Sequence, residues 1–276
     1  MPFEIDSLTL DSEWKYYQLL MRFQDKLDRA INQNRSMVCV GLDPDPGLMP
    51  SIGILEFNRA IIEATMDVTC AYKLNFAFYE VLGSEGISIL EETLRCIPQN
   101  IPTIGDAKRG DIGNTSRMYA KALFETMGFD AATVNPYLGY DSVEPFLRYR
   151  DRGVFILCRT SNPGAHDFQD PLFGIVAQKA KEWNCNGNIG LVMGATYPDE
   201  LKEVRSNCPG MVLLIPGLGP QGGDPLLAVR NGLDINGTGA IFAFSRQILY
   251  ASNGADFARK ARKAAEALRQ QIESLI

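Results

Sequence analysis

The sequence predicts a single (β/α)8 barrel, the TIM-barrel fold, over residues 1–276, with one additional N-terminal helix. Eight short, β-rich apolar runs recur along the chain at intervals of about 22 to 35 residues, which suit one strand plus one helix. Each run is almost continuously apolar rather than alternating, as expected of parallel strands covered on both faces. One such barrel typically takes about 250 residues, so the length leaves room for one domain.

The eight predicted strands start near residues 37, 70, 101, 129, 153, 188, 211 and 239. Segments between them, such as SEGISILEETLRCI and PDELKEVRSN, space apolar residues as an amphipathic helix does. The additional helix is predicted from about Ser12 to Asn32, and a closing helix from about Asp256 to Ser274. An open doubly wound sheet is the alternative, but no GxGxxG follows the first strand and no linker marks a second domain.

Composition favours a small-molecule ligand. The chain has 27 basic and 33 acidic residues, a net charge of −6, and no long Lys/Arg run, which argues against nucleic acid or an anionic membrane as partner, because both require a basic surface. No apolar stretch reaches the roughly 18 residues of a membrane helix, and the N-terminus MPFEIDSLTLDSEW does not resemble a signal peptide. Six scattered cysteines without a CxxC pair indicate reduced thiols and a cytoplasmic location. The single histidine, His166, excludes a His-rich metal site and is interpreted as a loop residue.

Polar residues recur where the predicted strands end. In such barrels the active site is built at the carboxyl ends of the strands, so these side chains are expected to share one site. Termination of a strand by a solvated charge explains any one of them, but not the whole set. The residues are Asp43, Lys73, Asp106, Lys108, Asn135, Ser161 and Arg246.

The segment Asp106 to Thr115 is the most specific. If the third strand continues through it, Asp106 and Lys108 lie on the same face, because side chains alternate with period two. Asp43 and Lys73, at neighbouring strand ends, would complete a set in which carboxylates and ammonium groups alternate. Each group would then stabilise the charged form of the oppositely charged group beside it. A structural ion-pair network is the competing interpretation, but buried networks are weak sources of stability, which favours a functional role.

This set resembles the orotidine 5′-monophosphate decarboxylase family. The family's D-x-K-x-x-D-I-x-x-T motif is matched by Asp106, Lys108, Asp111, Ile112 and Thr115. Most of the chain is similar to the family, including VGLD, YKLNFAFYE, TSNPGA, PGLGPQGGD and FAFSRQILYA. One departure is Ser245 before Arg246, where many members have glycine; with the N-terminal helix, it resembles the family's longer bacterial branch.

The resemblance implies a role for each matching residue. Lys108 is the expected proton donor, Lys73 and Asp106 complete its charged network, and Asp111 is expected to reach the partner subunit's site in a homodimer. Substrate contacts are expected from Asp43 and Thr115 near the ribose, from Ser161 at the pyrimidine, and from the strand-end residue Asn135.

A glycine-rich loop follows the seventh predicted strand, from Pro216 to Asp224. Loops after the last two strands commonly bind phosphate in these barrels, and glycines let backbone N–H groups approach an anion. Arg246 adds a fork of donors suited to phosphate oxygens, and Gln221 can both donate and accept. The predicted phosphate loop comprises Gly219, Gly222 and Gly223, opposite Arg246.

The expected activity is decarboxylation of orotidine 5′-monophosphate to UMP in pyrimidine biosynthesis, without metal or organic cofactor. Two alternatives stay open at this point. One is a magnesium-dependent decarboxylase or aldolase acting on a sugar phosphate, with the same acidic motif holding the metal. The other is a non-catalytic nucleotide-binding barrel, which would bind UMP and release no carbon dioxide.

Overall fold

Eight parallel strands close into a barrel in the computed structural model, which describes residues 21–219 and 222–276. Strands pair in chain order, and the last strand closes the barrel by pairing with the first. Each strand begins within two residues of its predicted start, which confirms the predicted TIM barrel. The strands are β1 (Val38–Gly41), β2 (Ala71–Asn75), β3 (Thr103–Arg109), β4 (Ala131–Val134), β5 (Gly153–Arg159), β6 (Ile189–Met193), β7 (Val212–Ile215) and β8 (Ala240–Phe244).

Helices follow the strands and cover the outside of the barrel. None of those in the described ranges is long and apolar enough to cross a bilayer. A π-helical turn (Ala122–Thr126) extends one helix, and a 3-10 turn (Pro163–Asp167) follows β5. The α-helices are α1 (Phe23–Asn34), α2 (Ile54–Thr65), α3 (Ala77–Glu80), α4 (Gly83–Cys96), α5 (Gly113–Lys121), α6 (Tyr140–Leu147), α7 (Gln169–Trp183), α8 (Pro198–Asn207), α9 (Pro225–Gly232), α10 (Arg246–Leu249) and α11 (Phe257–Glu273).

Alternation along the strands divides the core into two layers. Inward-facing residues fill the barrel interior, among them Cys39, Ile104, Phe155 and Leu214. The outward-facing residues pack against the helices in a second, larger cluster. Because both faces of each strand are buried, each strand appears in the sequence as a continuous apolar run. The positions of the strands could therefore be predicted.

Helix α1 closes the amino-terminal end of the barrel. The helix predicted from about Ser12 is helical from Phe23 to Asn34 within the described residues, and residues 1–20 lie outside them. The Phe23 ring meets the Phe155 ring edge-on, with centroids 5.6 Å apart. A Cβ at Gly153 would lie 2.5 Å from the Phe23 ring, so a glycine at this position leaves room for the ring. The additional helix therefore leaves the carboxyl end of the barrel for a site.

Candidate active site

A cavity of about 690 Å³ opens at the carboxyl ends of the strands, where the sequence predicted the site. Its walls come from the loops after β1, β5, β7 and β8 and from the ends of the central strands. Seven of the predicted residues line it: Asp43, Lys73, Asp106, Lys108, Ser161, Gly219 and Arg246.

Asp106 is the centre of the charged network. Its Oδ1 accepts hydrogen bonds from Lys108 Nζ at 2.6 Å and from Thr133 Oγ1 at 2.9 Å. Its Oδ2 accepts from Lys73 Nζ at 3.0 Å. Burial by itself would raise the pKa of Asp106, but the two ammonium groups outweigh burial and hold this pKa well below 3.8. Asp106 is therefore a fixed negative charge.

Lys73 is the buried cation of the network. Its Nζ also lies 3.7 Å from Asp43 Oδ1, so it bridges two carboxylates. Burial disfavours its charge, yet Asp106 and Asp43 together raise the pKa of Lys73 above 10.5. The alternating Asp/Lys arrangement predicted from the sequence is thus present, with Lys73 and Asp106 nearly inaccessible to water.

Lys108 reaches Asp106 from an irregular strand. The side chains share a face as predicted, but simple alternation does not explain it, because Lys108 has a φ of 48°. Pairing between β3 and β4 shifts between Gly105 and Arg109, so β3 bulges at this point. Lys108 N donates to Thr133 Oγ1 at 2.9 Å, and this bond stabilises the bulge. A lysine in the left-handed region is strained, and such strain is concentrated at functional sites. The Lys108 side chain is about half exposed toward the cavity.

Thr133 is a site residue that the sequence analysis missed. Its hydroxyl donates to Asp106 and accepts from the Lys108 backbone, so it positions both members of the central pair. The only available signal was its inward position on β4, two residues before the strand-end Asn135.

The cavity has a charged side and an apolar side. The charged groups come from β1 to β3, whereas Leu157, Val192 and Leu214 of β5 to β7 form an apolar wall. Ser161 lies beside this wall. Phe78 also lines the cavity, while Phe76 and Tyr79 are buried in the core.

Arg246 provides an available cation at the mouth of the cavity. Its side chain is exposed, and no carboxylate within residues 21–219 and 222–276 pairs with it. A guanidinium without an acidic partner is suited to bind an anion from solution. Gly217 and Gly219 of the loop after β7 lie in the same cavity.

The glycines of this loop differ in what they do. Gly222 N donates to Gly219 O at 2.9 Å and Gly223 N to Gly217 O at 3.0 Å, so the loop folds back on itself. The expectation that these two N–H groups face an anion does not match this conformation. A Cβ at Gly223 would lie 2.6 Å from Ala195 Cβ, so only glycine fits there. Gln221 lies outside the described residues.

Three other predicted residues are not among those lining the cavity. The side chain of Asn135 is exposed, and its Oδ1 accepts from Tyr137 N at 3.1 Å, which stabilises the turn after β4. Asp111 Oδ1 accepts from Ile112 N at 2.7 Å, just before α5. Thr115 lies in the first turn of that helix. The geometry does not bring these residues to the cavity of their own chain, and their substrate contacts stay predictions.

Arg159, the last residue of β5, supports the loop carrying Ser161. The side chain is fully buried, and its Nη2 lies 2.7 Å from Asp170 Oδ1. Its guanidinium stacks 3.8 Å from the ring centroid of Tyr197, and Nη1 donates to Ala165 O at 3.2 Å. His166 Nδ1 contacts Asp170 at 3.0 Å, which places this histidine in the 3-10 turn outside the cavity lining.

In the described ranges, no group of three or more His, Cys, Asp or Glu side chains is arranged to hold a metal ion. The Lys73 ammonium bridges the two carboxylates of the network, and the Lys108 ammonium pairs with Asp106.

A (β/α)8 barrel whose strand ends place this Lys/Asp network and an arginine in one cavity belongs to the class of barrel proteins with a candidate site for a small anionic molecule at the carboxyl ends of their strands. More particularly, the chain belongs to the orotidine 5′-phosphate decarboxylase / HUMPS family, whose model matches residues 36–261.

Relatives and solved structures agree with this membership. The chain is 53% identical over 263 residues to an orotidine 5′-phosphate decarboxylase of Dehalococcoides mccartyi (strain CBDB1), covering 91% of this chain and 97% of that protein. It superposes on the Leishmania donovani OMP decarboxylase with a TM-score of 0.80 at 37% identity, covering 92% of this chain and all of that one. Leishmania donovani UMP synthase matches with a TM-score of 0.85 at 40% identity, and the chain spans 56% of that protein's length.

Proposed function

We propose that this protein decarboxylates orotidine 5′-monophosphate to UMP and carbon dioxide, with Lys108 as the proton donor. The observation that carries the proposal is the Lys73–Asp106–Lys108 array in a cavity that also holds Arg246, which pairs with no carboxylate in the described part of the chain. Relatives that bear the name of this activity cover nearly the whole chain.

The two sides of the cavity suit the two ends of the reaction. The apolar wall of Leu157, Val192 and Leu214 offers a surface for a pyrimidine ring, with Ser161 at its edge. The ring's carboxylate would then point toward Asp106 and Lys108. Arg246 lies where it would bind the 5′-phosphate, and Gln221 is proposed to assist it. Binding of this remote phosphate would contribute to the rate as well as to affinity.

In the chemical step, the bond between C6 and the carboxylate carbon breaks and its electron pair stays on C6. The Lys108 ammonium stabilises this developing anion and transfers a proton to it, which gives UMP; the resulting neutral amine recovers a proton from water. Asp106 has a lowered pKa, so it stays ionised and disfavours the nearby substrate carboxylate. Enzymes lower barriers by about 8 to 23 kcal/mol, and a carbanion without an extended electron sink requires the upper end.

The proposed active form is a homodimer in which Asp111 reaches the partner's cavity. Large apolar side chains are exposed where β3 and β4 end, with 64% exposure at Ile112, next to Asp111, and 77% at Tyr137. Exposed apolar patches of this kind mark interfaces. Thr115 lies four residues after Asp111, in the first turn of α5, and would reach the same neighbouring cavity.

Subunit mixing tests the shared site. Combining Lys108→Ala and Asp111→Ala proteins should restore activity after subunit exchange, because some mixed dimers contain one site with both residues intact. Mass spectrometry should first verify that the subunits have exchanged. If activity is still not restored, the result would contradict a site shared between subunits.

A cytoplasmic location is proposed on the basis of the thiols. All six cysteines lie within the described residues, and each is a free thiol. Disulfides are rare in reducing compartments, so this fits the cytoplasm.

The direct test of the activity is a spectrophotometric assay of orotidine 5′-monophosphate loss by the purified protein, with and without EDTA. The proposal predicts turnover that the chelator does not change. Turnover that disappears with EDTA would favour a metal-dependent reaction. Tight UMP binding without carbon dioxide release would indicate a binding protein.

A further inference from the structure

Ser245 contacts the charged network from a strand that contributes none of the four network residues. It occupies the position before Arg246 where many members of the family have glycine. Ser245 Oγ donates to Asp43 Oδ2 at 2.6 Å, a hydrogen bond that joins the ends of β8 and β1. A glycine at this position could not form the bond.

The backbone of β1 leaves the space that this side chain fills. A Cβ added at Gly41 would lie 2.0 Å from Ser245 Oγ and 3.2 Å from Asp43 Oδ2. Residue 41 must therefore lack a side chain if Ser245 is to reach Asp43. Because β1 and β8 are paired neighbours, Asp43 and Ser245, which follow these strands, lie next to each other.

Tyr250 holds the same residue at its backbone. Its hydroxyl donates to Asp43 O at 2.7 Å and accepts from Asp45 N at 2.7 Å. Its ring stacks on the buried Phe57, with centroids 6.4 Å apart. The backbone of Asp43 is thus anchored by Tyr250. The remaining freedom of Asp43 is rotation of its carboxylate, and the hydrogen bond from Ser245 restricts this rotation.

With Oδ2 engaged by Ser245, the other oxygen of Asp43 has a defined direction. Oδ1 accepts from Asn75 N at 3.3 Å and lies 3.7 Å from Lys73 Nζ. Neither contact is short, so Lys73, which is closer to Asp106 at 3.0 Å, does not hold the Asp43 carboxylate by itself. The bond from Ser245 is the shortest that the carboxylate receives.

We propose that Ser245 is a positioning residue for recognition of the substrate's ribose, acting by fixing the Asp43 carboxylate. The inference rests on the proposed function and on the ribose contact that the family resemblance implies for Asp43. A carboxylate held in one orientation binds those hydroxyls without losing rotational freedom, so the effect appears in affinity. Because the ribose does not react, the ground state and the transition state benefit alike.

The test compares Ser245→Ala with the wild-type enzyme, using two ligands. UMP carries the ribose hydroxyls, and 2′,3′-dideoxyuridine 5′-monophosphate lacks them. Calorimetry should show up to about a tenfold loss of UMP affinity in the variant, because the freed Asp43 carboxylate must lose rotational freedom when the ligand binds. Affinity for the dideoxy ligand should change less than about twofold, because that ligand makes no contact that Asp43 could improve. In turnover, KM for orotidine 5′-monophosphate should rise about tenfold while kcat changes less than about threefold.

Two further variants complete the design. Ser245→Thr keeps the hydroxyl and should recover most of the UMP affinity. Ser252→Ala is the matched control, because Ser252 Oγ donates to Asp256 Oδ1 at 2.7 Å outside the cavity lining. Its removal should leave both affinities unchanged.

Equal loss of affinity for the two ligands in Ser245→Ala would overturn the inference, since it would indicate general distortion of the cavity. Unchanged UMP affinity would overturn it as well. A wild-type enzyme that fails to convert orotidine 5′-monophosphate would refute the proposed function instead, and the wild-type assay detects that failure separately.

Discussion

Replacing Arg246 by alanine should separate phosphate recognition from recognition of the rest of the nucleotide. The Arg246 side chain is exposed at the cavity mouth, and no acidic residue in the described part of the chain competes for it. Its removal therefore breaks no internal ion pair, and the fold should be unaffected. What is lost is the interaction with the ligand's phosphate.

The size of the loss follows from the kind of bond. A hydrogen bond to a charged group contributes about 1.5 to 3 kcal/mol. A guanidinium can form two such bonds to a phosphate, but exposure at the mouth allows water to weaken both, so the lower values apply. We expect a net loss of about 2.8 kcal/mol, which corresponds to a roughly 100-fold weaker affinity for UMP.

Calorimetric titration with UMP and with uridine provides the measurement. Uridine lacks the phosphate, so its affinity should change less than about twofold in Arg246→Ala. Arg259→Ala is a suitable control, since Arg259 is an exposed arginine on α11 that is paired with Asp256 and does not line the cavity. An equal loss for UMP and uridine, or no loss for UMP, would refute the assignment of Arg246 to phosphate.

Three further changes test the surrounding structure. Because the pKa of Asp106 is held below 3.8, its ionised form stabilises the fold above pH 3.8 and this contribution is lost as the pH falls further. The urea midpoint of Asp106→Asn should thus fall furthest below wild type near neutral pH and approach it in acid; a pH-independent gap would contradict this. Gly110→Ala places a Cβ 2.4 Å from Asn135 O, so it should displace the segment after β3 and lower kcat about 100-fold. Gly210→Ala is the control, because a Cβ at Gly210 meets open space and should leave kcat unchanged. Arg159→Met removes the guanidinium that contacts Asp170 and Tyr197 and so supports the loop carrying Ser161. A urea titration should show a free energy of unfolding lower by about 2 kcal/mol, and UMP binding should weaken. An unchanged free energy of unfolding and an unchanged UMP affinity would argue against a supporting role for Arg159.

The strands and most of the helices could be predicted from the sequence because their signals are local. A strand buried on both faces must be apolar throughout, and eight such runs at a regular spacing leave few arrangements. Helix α8 was predicted at both ends, since Pro198 begins it and the apolar spacing continues to Asn207. The helix at the amino-terminal end was predicted in place, and the described residues show it from Phe23 onward.

The residues of the charged site could be predicted from the sequence, but their arrangement in space could be predicted only in part. Alternation placed Asp106 and Lys108 on one face, but the bulge that achieves this depends on Thr133 from the neighbouring strand. Asn135 was expected in the site because it follows a strand, yet it satisfies the backbone of its own turn.

Contacts between distant segments could not be predicted from spacing. The bond from Ser245 to Asp43 joins residues 202 positions apart in the chain. Arg159 ends an apolar run, and nothing in the neighbouring residues indicates that Tyr197 and Asp170 would surround its side chain.

The most direct test of the account is the turnover of Lys108→Ala, measured together with its affinity for UMP. A positioned acid contributes about 10²- to 10⁴-fold, and stabilisation of the developing anion contributes further, so kcat should fall at least about 10⁴-fold. UMP affinity should stay within about tenfold of wild type, because the phosphate and ribose contacts remain. A Lys108→Ala enzyme that retains near-normal turnover would contradict the central role of this lysine.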